Sequence, residues 1–416
     1  MLRFLATALA ALSLAGGAAA APKDADVRFA TFNASLNRSA AGQLVTHLST
    51  PTNAQARNAA ETIQRVRPDV LLINEFDYDA AGDALRLFQD NYLSISQNGA
   101  TPIVYPFRFA AESNTGIPSG FDLNNFGGVG GADDAFGFGF YPGQFGMAVY
   151  SRYPIDKTGI RTFQKFLWKD MPGAKLPDDP ATPAPADWYS PAELNVFRLS
   201  SKSHWDLPIL IGRKVVHFLT SHPTPPVFDG AEDRNGTRNY DEIRFWADYI
   251  SPGKSGYIYD DGCVVGGACR RGGLKPGSLF VIAGDQNSDP LDGDSIPGAI
   301  QQLLDHPLVN AKVTPSSEGA FEQSMAQKGA NTTHRSDAHF DTADFGVPHP
   351  VTGEDTAPGN LRADYVLPRK NMQIVDAEVF WPLSTSEFFR LVGVRVPAFP
   401  TSDHRLVWID TTVPGK

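Results

Sequence analysis

Short apolar runs alternate with amphipathic segments along most of the chain, and this alternation predicts an α/β fold. The apolar runs are rich in Val, Ile, Leu and Phe, which favour buried strands. The predicted strands are residues 27–33, 69–75, 147–151, 194–200, 214–221, 279–285, 363–368 and 405–410.

Three segments have the spacing of an amphipathic helix, residues 54–66, 80–90 and 236–250. In the last of these, Ile243, Trp246 and Ile250 share one face. Long irregular stretches separate the predicted elements, and no change of composition divides the strands into independent halves. We therefore predict one domain, residues 21–416, with loop insertions at about 113–146, 172–191, 251–276 and 314–360.

The N-terminus has the pattern of a signal peptide. Arg3 precedes a short apolar run at residues 4–14, and Ala18-Ala19-Ala20 follows as a small-residue cleavage site. We predict that residues 1–20 are removed and that the protein is secreted or periplasmic. A retained membrane anchor is the alternative, although the apolar run is short for a bilayer span. No later apolar run is long enough to span a bilayer, so we expect no stable membrane insertion.

The chain has two cysteines, Cys263 and Cys269, in a glycine-rich stretch. An oxidising compartment favours a disulfide between them, and a pair of free thiols is the alternative.

The charge balance narrows the function. The chain has 36 Lys and Arg residues against 46 Asp and Glu residues, a net charge of −10. Tight, non-specific coating of DNA depends on basic side chains, so this balance argues against it. The same charge balance is compatible with an enzyme that binds phosphate through a metal ion.

Polar residues recur where predicted buried strands end or begin. Carboxylates at such positions are costly to bury unless they pair or bind a cation. Because several separate strands share the feature, we expect one convergent site. Its candidate residues are Asn33, Glu75, His222, Asp285, Asn287, Asp364, Asp403 and His404.

The ordered motifs around these residues resemble the endonuclease/exonuclease/phosphatase superfamily, which includes pancreatic-type deoxyribonucleases and neutral sphingomyelinases. The motifs are RPDVLLINE, GMAVYSRYPI, TSHPTPP, GDQN, RADYVL and SDH, with GDQN in place of the commoner GD[FL]N. The resemblance implies a four-layer α/β sandwich, in which two mixed β-sheets pack face to face with helices outside. It also implies a metal-dependent hydrolase that cleaves phosphoester bonds by in-line attack of water.

By the same resemblance, Asn33, Glu75 and Asp403 are the expected metal ligands. Mg²⁺ is the expected ion, with Mn²⁺ or Ca²⁺ as alternatives, because hard divalent cations prefer oxygen ligands. Taken alone, each of these residues could instead be a helix cap, a turn residue or a solvated strand end.

The catalytic roles expected from the resemblance involve five residues. Asp285 would orient or deprotonate the attacking water. The others, which would bind the phosphate, protonate the leaving group or orient a histidine, are His222, Asn287, Asp364 and His404.

Nucleic acid bound without sequence specificity is the leading substrate hypothesis. A lipid or small phosphoester, or a catalytically silent binding relative, remains an alternative, and no protein partner can be inferred.

Four further features have both a functional and a structural interpretation. Arg234 and Arg238 could reach a substrate phosphate, or could be solvated. Residues 334–344 could hold a second cation, or form a polar loop. Asp289, Asp292 and Asp294 form an alternating acidic stretch that could bind Ca²⁺, but the spacing of an EF-hand is absent. The last feature is an aromatic group that could stack bases, touch lipid or pack onto its own domain: Phe136, Phe138, Phe140 and Tyr141.

The export hypothesis gives a direct prediction. Protein recovered from the medium or the periplasm should begin at Ala21, because the small residues before it suit the signal peptidase. N-terminal sequencing or intact mass measurement checks this. An N-terminus at Met1 in the membrane fraction would show an uncleaved anchor instead.

Overall fold

The chain forms a layered arrangement of strands and helices in a computed structural model that describes residues 25–395 and 398–415. The predicted signal peptide lies outside the described residues. In chain order the strands are β1 Ala25–Asn33, β2 Val70–Asn74, β3 Phe107–Phe109, β4 Met147–Ser151, β5 Arg161–Thr162, β6 His204–Ile211, β7 Lys214–Ser221, β8 Leu279–Asp285, β9 Ala343–Asp344, β10 Asn360–Leu361, β11 Asp364–Pro368, β12 Ile374–Val379 and β13 Val407–Val413. The α-helices are α1 Gln43–Leu48, α2 Ala54–Val66, α3 Asp83–Phe88, α4 Pro191–Leu194, α5 Arg234–Ile250, α6 Gly262–Val265, α7 Gln301–Leu304, α8 Glu318–Gln327 and α9 Phe389–Val392.

Two mixed sheets contain all strands except β9 and β10, which pair with each other. The first has the order β12-β13-β1-β2-β4-β3, and the second has the order β11-β8-β7-β6-β5. Each sheet has one parallel pair at its centre, β1 with β2 and β7 with β8. The carboxyl ends of each parallel pair therefore lie at one edge of their sheet.

The apolar faces of the two sheets pack against each other. The rings of Phe29 on β1 and Phe218 on β7 lie 5.7 Å apart, within a cluster that draws residues from both sheets. On the outer face of the first sheet, Ile63 of α2 packs against Leu71. On the outer face of the second, Trp246 of α5 belongs to a cluster with Ile282. The predicted four-layer sandwich is therefore confirmed.

One predicted strand is wrong, and six strands were not predicted, of which β6 is the longest. Residues 194–200 form no regular strand, because Ser190 and Glu193 make a capping box that starts α4 at Pro191. The strand in this region is β6, His204–Ile211. Its internal Pro208 is unfavourable in a strand, so the sequence pattern did not indicate one there. Proline is tolerated there because β5 pairs only with Trp205 and Asp206, and the outer edge at Pro208 meets the N–H of Asp156, which donates to Pro208 O at 2.9 Å.

The helices also differ from the predictions in their bounds. The helix predicted at 80–90 spans only Asp83–Phe88 and continues as a π-turn over Gln89–Leu93. The predicted loop 314–360 contains α8, β9 and β10. Its helix was missed because α8 is polar on most sides and lacks the apolar stripe that periodicity detects.

The disulfide between Cys263 and Cys269 is present and closes the loop that contains α6. No helix within the described ranges is long and apolar enough to cross a membrane.

Packing between the sheets predicts a large effect of truncation at Phe218, which is fully buried. We expect Phe218→Ala to lower the free energy of unfolding by about 3–5 kcal/mol, because it leaves a cavity between the sheets. Chemical denaturation measures this loss. Val375→Ala is the control, since Val375 is 53% exposed and should change the stability little. Equal effects in the two variants would contradict the assigned packing.

Candidate active site

The carboxyl ends of four strands meet at one end of the sandwich. Asn33 ends β1 and Glu75 directly follows β2, both in the first sheet. His222 directly follows β7 and Asp285 ends β8, both in the second. Because the sheets face each other, side chains from opposite sheets come within contact distance there.

Asp285 is the point on which the other side chains converge. Its Oδ2 accepts a hydrogen bond from Asn33 Nδ2 at 3.1 Å. The same oxygen lies 3.3 Å from His222 Nε2 and 3.5 Å from His404 Nε2. Burial alone would raise the pKa of Asp285, but the two histidines and Asn33 outweigh it and hold the pKa below its usual range. The carboxylate is therefore ionised.

Asp364 holds His404 from the other side. Asp364 lies opposite Asp285 in the β8–β11 ladder, and its Oδ2 is 2.8 Å from His404 Nδ1. Burial would lower the pKa of His404, but the charges of Asp364 and Asp285 raise it to about 10. The imidazole is thus a cation fixed between two carboxylates. Thr342 Oγ1 donates to Asp364 Oδ2 at 2.8 Å and fixes that carboxylate in turn.

His222 has the opposite electrostatic character. Burial and the nearby Lys202 lower its pKa to about 4, so it is neutral at pH 7. Its Nδ1 is buried and has no hydrogen-bond partner among the described residues. A buried ring nitrogen without a partner is costly, and it fits a site that a further polar group enters.

Glu75 and Asp403 form the oxygen-rich side of the site. Glu75, which has a left-handed backbone (φ 57°), accepts hydrogen bonds from Asn33 Nδ2 at 3.1 Å and Asn37 Nδ2 at 2.7 Å. Burial and then the charge of Asp403 raise the pKa of Glu75 to about 7. Two neighbouring carboxylates suit a hard divalent cation. Asn33 turns its Nδ2 towards Glu75, and its Oδ1 accepts from Ser35 N–H at 3.2 Å. Glu75 and Asp403 therefore fit such an ion, and Asn33 would join them if its amide oxygen and nitrogen exchanged places.

A second group of ligand atoms lies within 4.8 Å of one another, in Asp285, Asp364 and His404. We consider this group less suited to the ion, since His404 Nδ1 already hydrogen-bonds to Asp364 and its charge would repel a metal. Glu75 and Asp403 offer carboxylate oxygens only, although Arg395 lies 3.7 Å from Asp403.

Asn287 lies beside the site in a tight turn. It has φ 51°, its backbone N–H donates to Asp285 Oδ1 at 2.9 Å, and its Nδ2 donates to Pro223 O at 3.1 Å. It is half-buried at the edge of the pocket.

Arg234 and Arg238 do not reach the site as free cations. Arg234 pairs with Glu232. Arg238 is buried and donates to the backbone carbonyls of Leu199, Phe136 and Arg198. The structure therefore contradicts a phosphate-binding role, because their donors stabilise neighbouring segments.

Three residues near the site were missed in the sequence. Asn37 and Thr342 hold Glu75 and Asp364, respectively. Lys202 is buried close to Glu242, Asp285 and Glu75, whose charges partly offset the lowering of its pKa by burial. The sequence carried no signal for Lys202, because lysines are usually exposed and its charged neighbours lie far away in the chain.

An open cavity of about 670 Å³ lies beside Glu75. It is lined by Asn37, Arg38, Ser39, Gln43, His47, Phe140 and Gln144. The loop that carries Phe140 is anchored there, since Tyr141 Oη donates to Asp77 Oδ2 at 2.6 Å and Gln144 Nε2 donates to Arg38 O at 2.8 Å. The cavity is thus a fixed extension of the site.

Comparison with known proteins agrees with this geometry. The sequence profile of the Endonuclease/Exonuclease/phosphatase family matches residues 30–404. The chain belongs to this family. It therefore has the fold of a phosphoesterase family whose members are hydrolases. No curated protein sequence matches the chain significantly.

Solved structures with similar folds include other members of the family. An endonuclease/exonuclease/phosphatase from Beutenbergia cavernae DSM 12333 is 17% identical, with a TM-score of 0.48, over 93% of this chain and 72% of that one. An endonuclease/exonuclease/phosphatase family protein from Leptotrichia buccalis is 14% identical, with a TM-score of 0.45, over 93% and 100%. Sphingomyelinase C from Streptomyces griseocarneus is 13% identical, with a TM-score of 0.42, over 93% and 99%.

The pairing of His404 with Asp364 gives a spectroscopic prediction. In EDTA, we expect Asp364→Asn to lower the pKa of His404 by about 1–3 pH units, because the variant removes the nearest negative charge. NMR titration of the histidine Cε1 protons, assigned with His404→Gln, measures the change. The Cε1 signal of His217, which pairs with Asp206 away from the site, should have the same chemical shift in both proteins at a given pH. An unchanged pKa of His404 would contradict its pairing with Asp364.

Proposed function

We propose that this protein is an exported, divalent-metal-dependent phosphodiesterase that cleaves nucleic-acid strands by direct attack of water. The observation that supports the proposal best is the ionised Asp285 flanked by a cationic His404 and a neutral His222, opposite Glu75 and Asp403. Such a site combines a proton acceptor, a positive donor and a cation-binding face, the three functions that phosphodiester hydrolysis requires.

The proposed chemistry assigns one role to each side chain. Asp285 accepts a hydrogen bond and then the proton from the attacking water, and Asn287 helps to hold that water. His404 donates to a phosphoryl oxygen and stabilises the charge that develops there. His222 positions the phosphate, with Lys202 adding positive charge behind it. Asp364 orients His404 and keeps it protonated.

Glu75, Asp403 and Asn33 would hold the metal ion, with Mg²⁺ the leading choice. When bound, this ion would supply neutralisation of negative charge on the phosphoryl oxygens.

The cavity beside Glu75 supports a nucleic-acid substrate. Phe140 is 72% exposed and lies where a base could stack on its ring. Arg38 also lines this cavity, and its positive charge suits a backbone phosphate. Phe136 is buried and Tyr141 is bonded to Asp77, so Phe138 and Phe140 are the members of the aromatic group left to contact a ligand.

A phospholipid such as sphingomyelin is the second candidate. It is favoured by exposed apolar side chains on the same loop, Phe126, Val129, Phe138 and Phe140. These residues could contact a lipid surface near the site.

The catalytic assignment predicts a large loss of activity in Asp285→Asn and His404→Gln. We expect each to lower kcat about 10²–10⁴-fold, because each removes a group that moves or stabilises charge in the transition state. Hydrolysis of bis-p-nitrophenyl phosphate with Mg²⁺, and its abolition by EDTA, measures this. Asp376→Asn, an exposed change on β12, is the control. Near-normal turnover in a folded Asp285 or His404 variant would refute the roles.

The substrate is tested with a panel of plasmid DNA, single-stranded DNA, RNA, bis-p-nitrophenyl phosphate and sphingomyelin vesicles. We expect Phe140→Ala to raise KM for nucleic acid about 5–100-fold, because it removes base stacking, and to leave the small ester unaffected.

Phe126→Ala is the matched control, since Phe126 is 80% exposed on the same loop but does not line the cavity. Cleavage of sphingomyelin alone, weakened by both variants, would favour the lipid candidate. Cleavage of no substrate would indicate a binding relative.

A further inference from the structure

A second cluster of acidic side chains lies away from Glu75, around Asp341. Asp341 is only 1% exposed, and neither of its carboxylate oxygens has a hydrogen-bond partner among the described residues. Burying a carboxylate in this way is very costly unless it is neutralised by a proton or a cation. Hydrogen bonds from the described residues therefore do not offset the cost of burying the Asp341 carboxylate.

The charged groups that act most strongly on Asp341 are themselves carboxylates. Burial comes first, and then Asp289, Asp292, Asp337 and Asp344 raise the pKa of Asp341 to about 9. These groups come from two separate segments of the chain, one following β8 and one preceding and including β9. A cluster that brings like charges together around a buried, unpartnered carboxylate suits a positively charged ligand.

The neighbouring acids are held in fixed positions by backbone groups. Asp289 Oδ1 accepts from the N–H groups of Leu291 and Asp292, and its Oδ2 accepts from Arg362 N–H at 2.9 Å. Asp292 accepts from the N–H groups of Arg335 and Ser336. The segments around Asp341 are thereby tied together, while both carboxylate oxygens of Asp341 have no donor among the described residues.

We propose that Asp341 is the inner ligand of a second site for a hard divalent cation, separate from the site at Glu75. Asp285, Asp364 and His404 form the one set of three such groups within 4.8 Å that the described residues contain. At Asp341, therefore, oxygen atoms of water and backbone would complete the coordination, as is common for Ca²⁺. The proposal is independent of the catalytic activity.

The position of Asp341 gives the cation a structural consequence. The next residue, Thr342, donates to Asp364 and also accepts from the N–H groups of Ala363 and Asp364. An ion at Asp341 would join the segment after β8 to the one that carries Thr342. It would thereby stiffen the support of the Asp364–His404 pair.

The test uses the full-length mature protein in the Glu75→Gln background, which weakens binding at the first site. In that background we expect equilibrium dialysis to find one bound Ca²⁺. We also expect Ca²⁺ at 100 times its Kd to raise Tm by about 3 °C. Adding Asp341→Asn should abolish both effects. In EDTA, Asp341→Asn should melt no lower than its parent, because neither oxygen of Asp341 has a hydrogen-bond partner that the variant would lose. Parallel titrations with Mg²⁺ show which ion the site prefers.

Asp294→Asn is the matched control, because Asp294 is an exposed acid on the neighbouring loop and should leave Ca²⁺ binding unchanged. Hydrogen exchange provides a measurement that needs no change at position 341. In the Glu75→Gln protein, Ca²⁺ should slow exchange over residues 334–344 at least about tenfold. Absence of both Ca²⁺ and Mg²⁺ binding in this background would overturn the proposal and indicate that Asp341 is held protonated. Binding that survives Asp341→Asn would overturn it as well.

Discussion

The site depends on the burial of several charged groups between two apolar sheets, which is tolerable only if each charge has a partner. Asp285, Asp364 and His404 are each at most 5% exposed. Isolated carboxylates in such surroundings would take up protons, but a cationic imidazole between them keeps Asp285 ionised. This mutual neutralisation makes Asp285 available as a proton acceptor at neutral pH.

The layered fold supplies the geometry that this neutralisation requires. The parallel pair at the centre of each sheet brings two strand ends to the same edge, and packing of Phe29 on Phe218 aligns the two sheets. Asn33 can then hydrogen-bond to Asp285 although 252 positions separate them in the chain. Side chains on strand ends have little freedom, so the site is assembled before a substrate binds.

The long insertions add features that the sandwich lacks. The loop at 113–146 is fixed by Tyr141 and Gln144, and so holds Phe140 beside the oxygen-rich half of the site. The segment at 314–360 supplies Thr342, which supports Asp364, and also the buried Asp341. The insertions therefore add a cavity wall and structural support, while the candidate catalytic side chains lie on the strand ends.

The sequence by itself determined the α/β class, most strands and the polar residues at their ends. Apolar periodicity reports local burial, which is why β1, β2, β7 and β8 could be predicted. It could not exclude Arg234 and Arg238 as phosphate ligands, or show that Lys202 lies near Asp285. Only the tertiary structure decided these points, because the partners of a buried charge come from segments distant in the chain and local patterning does not record their approach.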